Sequence, residues 1–193
     1  MTTAGAARRR AHRITTDTGV LLRRPFEADA AGVFAVHGDP SVYRYDPQET
    51  HADVEYSARF LAPILDHWAE HGFGYWAVLL PAGEWQEGLP GAHAEDGARV
   101  FAGLGGIRTH TLAGRPVLNV YYRFAPAAQG RGLARIVVEQ SLALAPLVAP
   151  GTDVVVRTRP ANAVARHVAE RAGFLDEGLE PGTTDMQLLR YRF

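Results

Sequence analysis

Gln129-Gly130-Arg131-Gly132-Leu133-Ala134 is the segment whose residue types most clearly suit a chemical task. It follows an apolar, aromatic run from Val117 to Phe124 that reads as a strand, and it leads into Leu133–Leu147, where apolar residues recur at helical spacing. A glycine turn between a strand and a helix start leaves the first helical N–H groups unpaired, and the helix dipole adds partial positive charge there. Such a corner binds phosphate, and Gly130 and Gly132, lacking Cβ atoms, let an anion approach the backbone closely. The expected ligand therefore carries phosphate. The segment has neither the Lys nor the hydroxyl of a nucleoside-triphosphate loop, and it is not G-x-G-x-x-G.

Other residues near this segment could do chemistry. Tyr121 and Tyr122 precede the turn on the same strand, and strand alternation lets only one of them face a common cleft; Tyr122 is the preferred candidate. His110, past the preceding strand, titrates in the range useful for a base. Tyr43, Tyr45, Trp68 and Trp76 are candidate aromatic walls for an amine, and Asp46 and Glu49 could attract a cation. The chain has no cysteine, which excludes disulfides, thiolate metal sites and a cysteine nucleophile. No metal site is expected.

Composition narrows the class. At 193 residues the chain fits one domain with a sizeable core. A net charge of −1 argues against nucleic acid as the main partner, and no apolar run is long enough to span a membrane. Residues 1–18 carry Arg8-Arg9-Arg10 without the apolar stretch of a secretory signal, so they are expected to be a disordered tail on a cytoplasmic protein whose single domain spans 19–193. Every basic residue other than histidine is Arg. Monomer and homodimer both remain open.

The elements that must position these residues follow the order β-α-α-β-β-β-α-β-α-β, with one more short strand near Phe174–Gly178. Val20–Arg23 opens as a strand, and Ala30, Val33, Phe34 and His37 share one side of the first helix. Thr50 is expected to cap the second helix with Asp53 as its acidic partner. Val54, Leu61, Leu65 and Trp68 should form that helix's buried face, Pro63 should kink or divide it, and Gly72 should end it. Tyr75–Leu80 and Val100–Arg108 read as strands, joined by a loop over 81–99 that is expected to be mobile, with a substrate lid as the alternative reading. Pro146 and Pro150 should close the long helix; Asp153–Arg159 reads as a buried strand, Ala163–Ala172 as a short helix and Met186–Phe193 as the terminal strand. The β-α-β crossover around the glycine turn makes its two strands parallel within a mixed α/β sheet.

Five pieces of this layout resemble the GNAT N-acetyltransferases over about residues 18–193. Gln129 to Ala134 is similar to that superfamily's [Arg/Gln]-x-x-Gly-x-[Gly/Ala] cofactor signature. Leu22-Arg23 with Pro25, Asp29 and Ala30, the run Asp39-Pro40-Ser41-Val42-Tyr43-Arg44-Tyr45, and Phe101 to Ile107 resemble its ribosomal-protein N-terminal acetyltransferase branch, the RimJ/RimL-like one. Asn162 followed by Arg171-Ala172-Gly173-Phe174 is similar to the family's Asn…Gly-Phe. The fold this implies is a mixed, centrally splayed β-sheet with helices on both faces.

The resemblance also implies an activity: transfer of an acetyl group from acetyl-coenzyme A, the small-molecule acyl donor, to an amine acceptor, either a protein N-terminus or a small molecule. It implies that the Phe124 N–H polarises the thioester and that a bulge near Ala125-Pro126 opens the strand to the pantetheine arm. By the same resemblance the backbones of Gln129, Gly130, Arg131, Gly132, Leu133 and Ala134 hold the pyrophosphate, with Arg131 or Arg135 adding charge, and Asn162 bonds the pantetheine. The family's usual acid positions fall here on Ala169 and Ala165, and a position often held by Glu falls on Asn119. Tyr122 and Asn119 are the substitutes for these catalytic positions. The alternative reading is a coenzyme A-binding module with little catalysis.

Overall fold

The long antiparallel pair at the centre of the fold is built from β-branched and aromatic residues, and it carries the candidate site at one end. A computed structural model describes residues 3–83, 89–91, 93 and 96–193. Their strands are β1 (Arg13–Thr15), β2 (Leu21–Arg23), β3 (Tyr75–Pro81), β4 (Arg99–Leu112), β5 (Arg115–Phe124), β6 (Val154–Thr158), β7 (Leu175–Leu179) and β8 (Gln187–Tyr191). Among the described residues they form one eight-stranded sheet in the order β1-β2-β3-β4-β5-β6-β8-β7. Only β5 and β6 run parallel. The helix between them makes the crossover that parallel strands require.

The helices are α1 (Thr3–Ala11), α2 (Ala30–His37), α3 (Val54–His71), α4 (Leu133–Val148) and α5 (Ala163–Arg171). α2 and α3 pack together over one side of β4 and β5, while α4 lies against the other side beside α5. The core between the layers holds Trp68, Trp76, Phe73, Phe101 and Leu104. The mixed α/β architecture read from the sequence is present, with β7 as the additional short strand and β1 as one not anticipated.

Several local expectations change. Residues 3–11, expected within a disordered tail, are helical and packed on α4: Ala7 and Ala11 are buried, and Ala11 C=O accepts the Trp76 indole N–H at 2.7 Å. Small alanine side chains let that helix approach closely. α3 begins at Val54 with Asp53 itself as the cap, its carboxylate accepting the Tyr56 N–H, while the Thr50 hydroxyl is buried with no partner among the described residues. Ser57, Leu61, Ile64 and Trp68 form its inner face, and Val54 is exposed. Pro63 is accommodated within a continuous helix, and Gly72 ends it in the left-handed conformation.

The 81–99 connection falls partly outside the described residues, so the lid and mobility readings of 84–88, 92, 94 and 95 lie there. Its described part is anchored. Arg23, buried, donates from Nε to both oxygens of buried Asp96 at 2.9 Å and from its two terminal nitrogens to buried Asp29 at 2.7 Å. Arg13 and His93 stand 3.4 Å from Asp96 and Asp29, respectively, at the rim of this cluster.

The register slips between Val78 and Leu79, leaving Ala102 as an extra residue on β4; its C=O accepts the Ala125 N–H at 2.9 Å. The bulge expected near Ala125-Pro126 is thus on the neighbouring strand, and β5 keeps unbroken register with β4 up to Phe124. Just beyond the slip, Gly103 has φ +151°, and a Cβ there would lie 2.0 Å from Arg123 O. Gly103→Ala should destabilise the fold by about 1–3 kcal/mol through this overlap, read as a lowered denaturant midpoint.

Candidate active site

Pairing between β5 and β6 joins Leu118, Asn119 and Val120 to Val154, Val155 and Val156 and goes no further, although both strands continue. Beyond Val120 and Val156 they splay. The opening is a cleft of about 650 Å³, lined on one side by Tyr122, Arg123 and Phe124 and on the other by Arg157, Thr158 and Arg159. The start of α4, the Asn162 end of α5 and the Ser41–Asp46 segment complete it.

Strand alternation decides which backbone groups face this opening. Leu118 N–H bonds to Asp153 O on the β6 side, and Ala125 N–H bonds to Ala102 O on the β4 side. With no slip in β5, Leu118, Val120, Tyr122 and Phe124 all direct their N–H toward β6. The Phe124 N–H therefore faces the cleft where β6 has moved away. Its C=O accepts from Gln129 Nε2 at 3.1 Å.

The glycine turn follows a short 3-10 turn, Pro126–Ala128. Gly130 and Gly132 both have φ near +75°, and among the described residues no atom beyond their immediate chain neighbours lies within 4 Å of where their Cβ atoms would be. The backbone conformation requires glycine here, and the space above it is open. Gly132 is the N-cap of α4 and no side chain among the described residues caps that helix, so its first-turn N–H groups remain available to a ligand. Gln129 has another part: its N–H donates to Pro126 O and its side chain ties the turn to Phe124 O. Arg131 bonds Ala127 O across the turn, and Arg135 sits 3.7 Å from Glu139. Asn162 caps α5 by accepting the Ala165 N–H, which leaves its amide NH2 as the donor toward the cleft.

The sequence-derived candidates divide accordingly. Phe124, Tyr122, Gln129, Gly130, Gly132, Leu133, Ala134, Arg135, Asn162, Tyr43 and Tyr45 line one cleft. Ala125 and Pro126 turn the chain behind it, and Arg131 stands outside the lining. Trp68 and Trp76 do not wall it: both are fully buried, with their indole N–H groups on Tyr75 O and Ala11 O. Asn119 sits where the sheet is still closed, roughly 17 Å along β5 from Phe124 at strand rise, and its amide donates to Tyr75 OH. His110 pairs with Val117 at the far end of β4, roughly 24 Å from the Phe124 level. Asp46 is engaged by Arg159 Nη2 at 2.5 Å, and Arg159 also bonds Asp185.

Two features were not anticipated. The Tyr122 hydroxyl is buried without a partner among the described residues, and burial pushes its pKa up to about 12. Behind Tyr43 lies a histidine pair: His37 Nδ1 is 2.8 Å from Tyr43 OH, the His37 and His51 rings are 4.6 Å apart, and His51 Nδ1 is 2.8 Å from Ser57 Oγ. Burial, reinforced by His51 and Arg123, pushes His37 down to about 2; burial and Arg123 push His51 down to about 4. Tyr43 is raised by burial, so it keeps its proton and shares a hydrogen bond with neutral His37.

Residues 20–175 match the acetyltransferase (GNAT) domain, and the chain belongs to that family of acetyl-coenzyme A dependent enzymes. The fold is shared with an acetyltransferase from Agrobacterium tumefaciens at 20% identity and TM-score 0.69, covering 94% of each chain. A GNAT-family acetyltransferase from Bacillus anthracis matches at 16% identity and TM-score 0.63, over 93% of this chain and 98% of that one. RimL, a ribosomal L7/L12 α-N-protein acetyltransferase in complex with coenzyme A, matches at 14% identity and TM-score 0.64, over 93% and 97%.

His37 and His51 have folded-state pKa values below the unfolded value of about 6.5, as does His67, which burial, with the neighbouring His71, holds near 4. The unfolded chain takes up protons that the folded one refuses, so stability should fall as pH drops from about 6.5 toward 4 and be flat with respect to these groups above that window. Melting temperature measured from pH 7.5 to 5.0 checks this; an invariant value would contradict the neutral, buried assignment.

Proposed function

We propose that this chain transfers the acetyl group of acetyl-coenzyme A to a primary amine while both are bound, with no acyl-enzyme stage. The observation that carries this reading is the Phe124 N–H facing the splayed strands, one short turn from an uncapped helix start. Acetyl-coenzyme A, when bound, supplies an activated thioester. The first-turn N–H groups of α4, with the backbone of Gly130 and Gly132, would hold its pyrophosphate, and the Asn162 amide would donate to the pantetheine arm. The unpaired strand edge of β5 would take the arm as a further strand.

The Phe124 N–H would donate to the thioester carbonyl oxygen, and it is oriented before charge develops there. Holding the amine beside the thioester replaces an encounter from solution with a local one. With acetyl-coenzyme A bound, the Tyr122 O–H, unpartnered among the described residues, would donate toward the leaving sulfur. With a pKa about 12 it is a weaker acid than a thiol, whose pKa is about 8.5. It therefore stabilises the developing thiolate by a hydrogen bond and keeps its own proton, while water carries the proton released by the amine.

Within the family, the Leu22–Ala30, Asp39–Tyr45 and Phe101–Ile107 segments support a place near the ribosomal-protein N-terminal acetyltransferase branch, with a protein N-terminus or a small-molecule amine as the acceptor. Residues 19–193, with α1 and β1 packed onto them, are read as the acetyltransferase domain, acting in the cytoplasm.

Thiol release from acetyl-coenzyme A with a panel of amines tests the proposal. Cofactor binding by calorimetry with no amine-dependent release would make the chain a coenzyme A-binding module instead. Gly132→Glu places a carboxylate and an ill-fitting side chain at the pyrophosphate corner; coenzyme A affinity should fall at least about tenfold, a loss of about 1.4 kcal/mol, with circular dichroism unchanged. Tyr122→Phe should lower kcat by about 10²-fold, the cost of losing one donor to developing charge, with coenzyme A affinity retained.

A further inference from the structure

The side chains of β5 alternate between the two faces of the sheet, and that separates two sets of cleft residues. Tyr122 and Phe124 share the α4 face, where Gly105, opposite Tyr122, packs against Val137. Arg123 projects to the other face, toward α2 and the Pro40–Tyr43 turn: Nη1 donates to Val42 O at 2.8 Å, Nε donates to Tyr121 OH at 3.2 Å, and the guanidinium lies 3.7 Å over the Tyr43 ring. This is the half of the cleft left for the acceptor.

Charge in that half is unevenly neutralised. Arg157 is paired with Glu180 at 2.6 Å, and Arg159 with Asp46 and Asp185. Arg123 has no carboxylate within 4.0 Å among the described residues, and its Nη2 amino group donates to none of their atoms. Arg44, at the mouth and stacked on Tyr45 at 4.8 Å, has none either. The charge on Arg123 adds to burial in lowering His37 and His51, as expected of a cation without a counter-charge.

Resting on the acetyl-transfer reading, we infer that the acceptor is an amine carrying its own anionic group, a carboxylate or a phosphonate-type oxyanion, which docks on Arg123. A guanidinium that lies over an aromatic ring and is tied through Nη1 and Nε is fixed in place with its Nη2 N–H groups left over, which suits such an oxyanion. Arg123 and Phe124 are consecutive, so the anion and the attacked thioester are set by one backbone unit. Polyamines and other purely cationic acceptors are repelled by Arg123 and Arg44.

The test pairs each amino acid with its carboxamide and each aminoalkylphosphonate with its parent amine. The anionic member should show at least about tenfold higher kcat/KM, and whichever arm carries the preference identifies the anion. Arg123→Gln should remove it through KM, with kcat and coenzyme A affinity retained; Arg123→Lys should restore part of it. Without acetyl-coenzyme A, the preferred anionic amine should raise the melting temperature of the wild type but not of Arg123→Gln. Equal turnover of acids and amides by the wild type, or an unchanged preference in Arg123→Gln, overturns the inference and leaves acetyl transfer standing. Melting shifts by anionic amines without any thiol release uphold the anion site and overturn acetyl transfer. Neither shift nor release overturns both.

Discussion

The parting of β5 from β6 after Val120 and Val156 is the constraint on which the candidate site depends. A parallel pair that stayed closed would pair the Phe124 N–H with β6 and leave no cleft. The strands separate where bulky and charged residues, Tyr122, Arg123, Arg157 and Arg159, replace the valines that hold them together lower down. On the β4 side, Gly103 lets Arg123 O come close, and the extra residue Ala102 receives the Ala125 N–H. One strand is thus held firmly on one edge and released on the other.

The glycine turn depends on the same opening. Gln129 ties the turn to the last carbonyl of β5, so the helix start and the Phe124 N–H are fixed relative to each other through a few bonds. Two left-handed glycines complete the reversal without placing a side chain in the space above. A ligand long enough to join phosphate to thioester meets both groups in a preformed arrangement, which lowers the ordering entropy lost on binding.

How much of this could be read in the residues alone follows from how local each feature is. The glycine turn and the α4 start were legible because positive φ and an uncapped helix leave a mark in adjacent residues. The face a side chain takes in a sheet buried on both sides leaves no such mark: Tyr75–Leu80 is apolar throughout, so Trp76 reads equally well as core or as pocket wall. The Asp46–Arg159 pair, 113 positions apart, makes Asp46 part of a bridge across the cleft rather than a lure for a cation. Residues 3–11 look like a tail because their alanines and arginines show little apolar pattern; what orders them is the fit of two alanines onto α4 and a carbonyl on Trp76, both supplied from far along the chain.

The cluster around Arg23 bears on how the chain reaches this arrangement. Its guanidinium leaves water only when residue 96 has come back to residue 23, closing a segment of 73 positions. Until then the guanidinium has, among the described residues, only Asp29 as its counter-charge and resists full burial, so hydrophobic collapse over this strand is held back. Long-range closure of that kind slows folding. In return, the edge of the sheet is locked late, by an encounter that a misregistered strand could not reproduce.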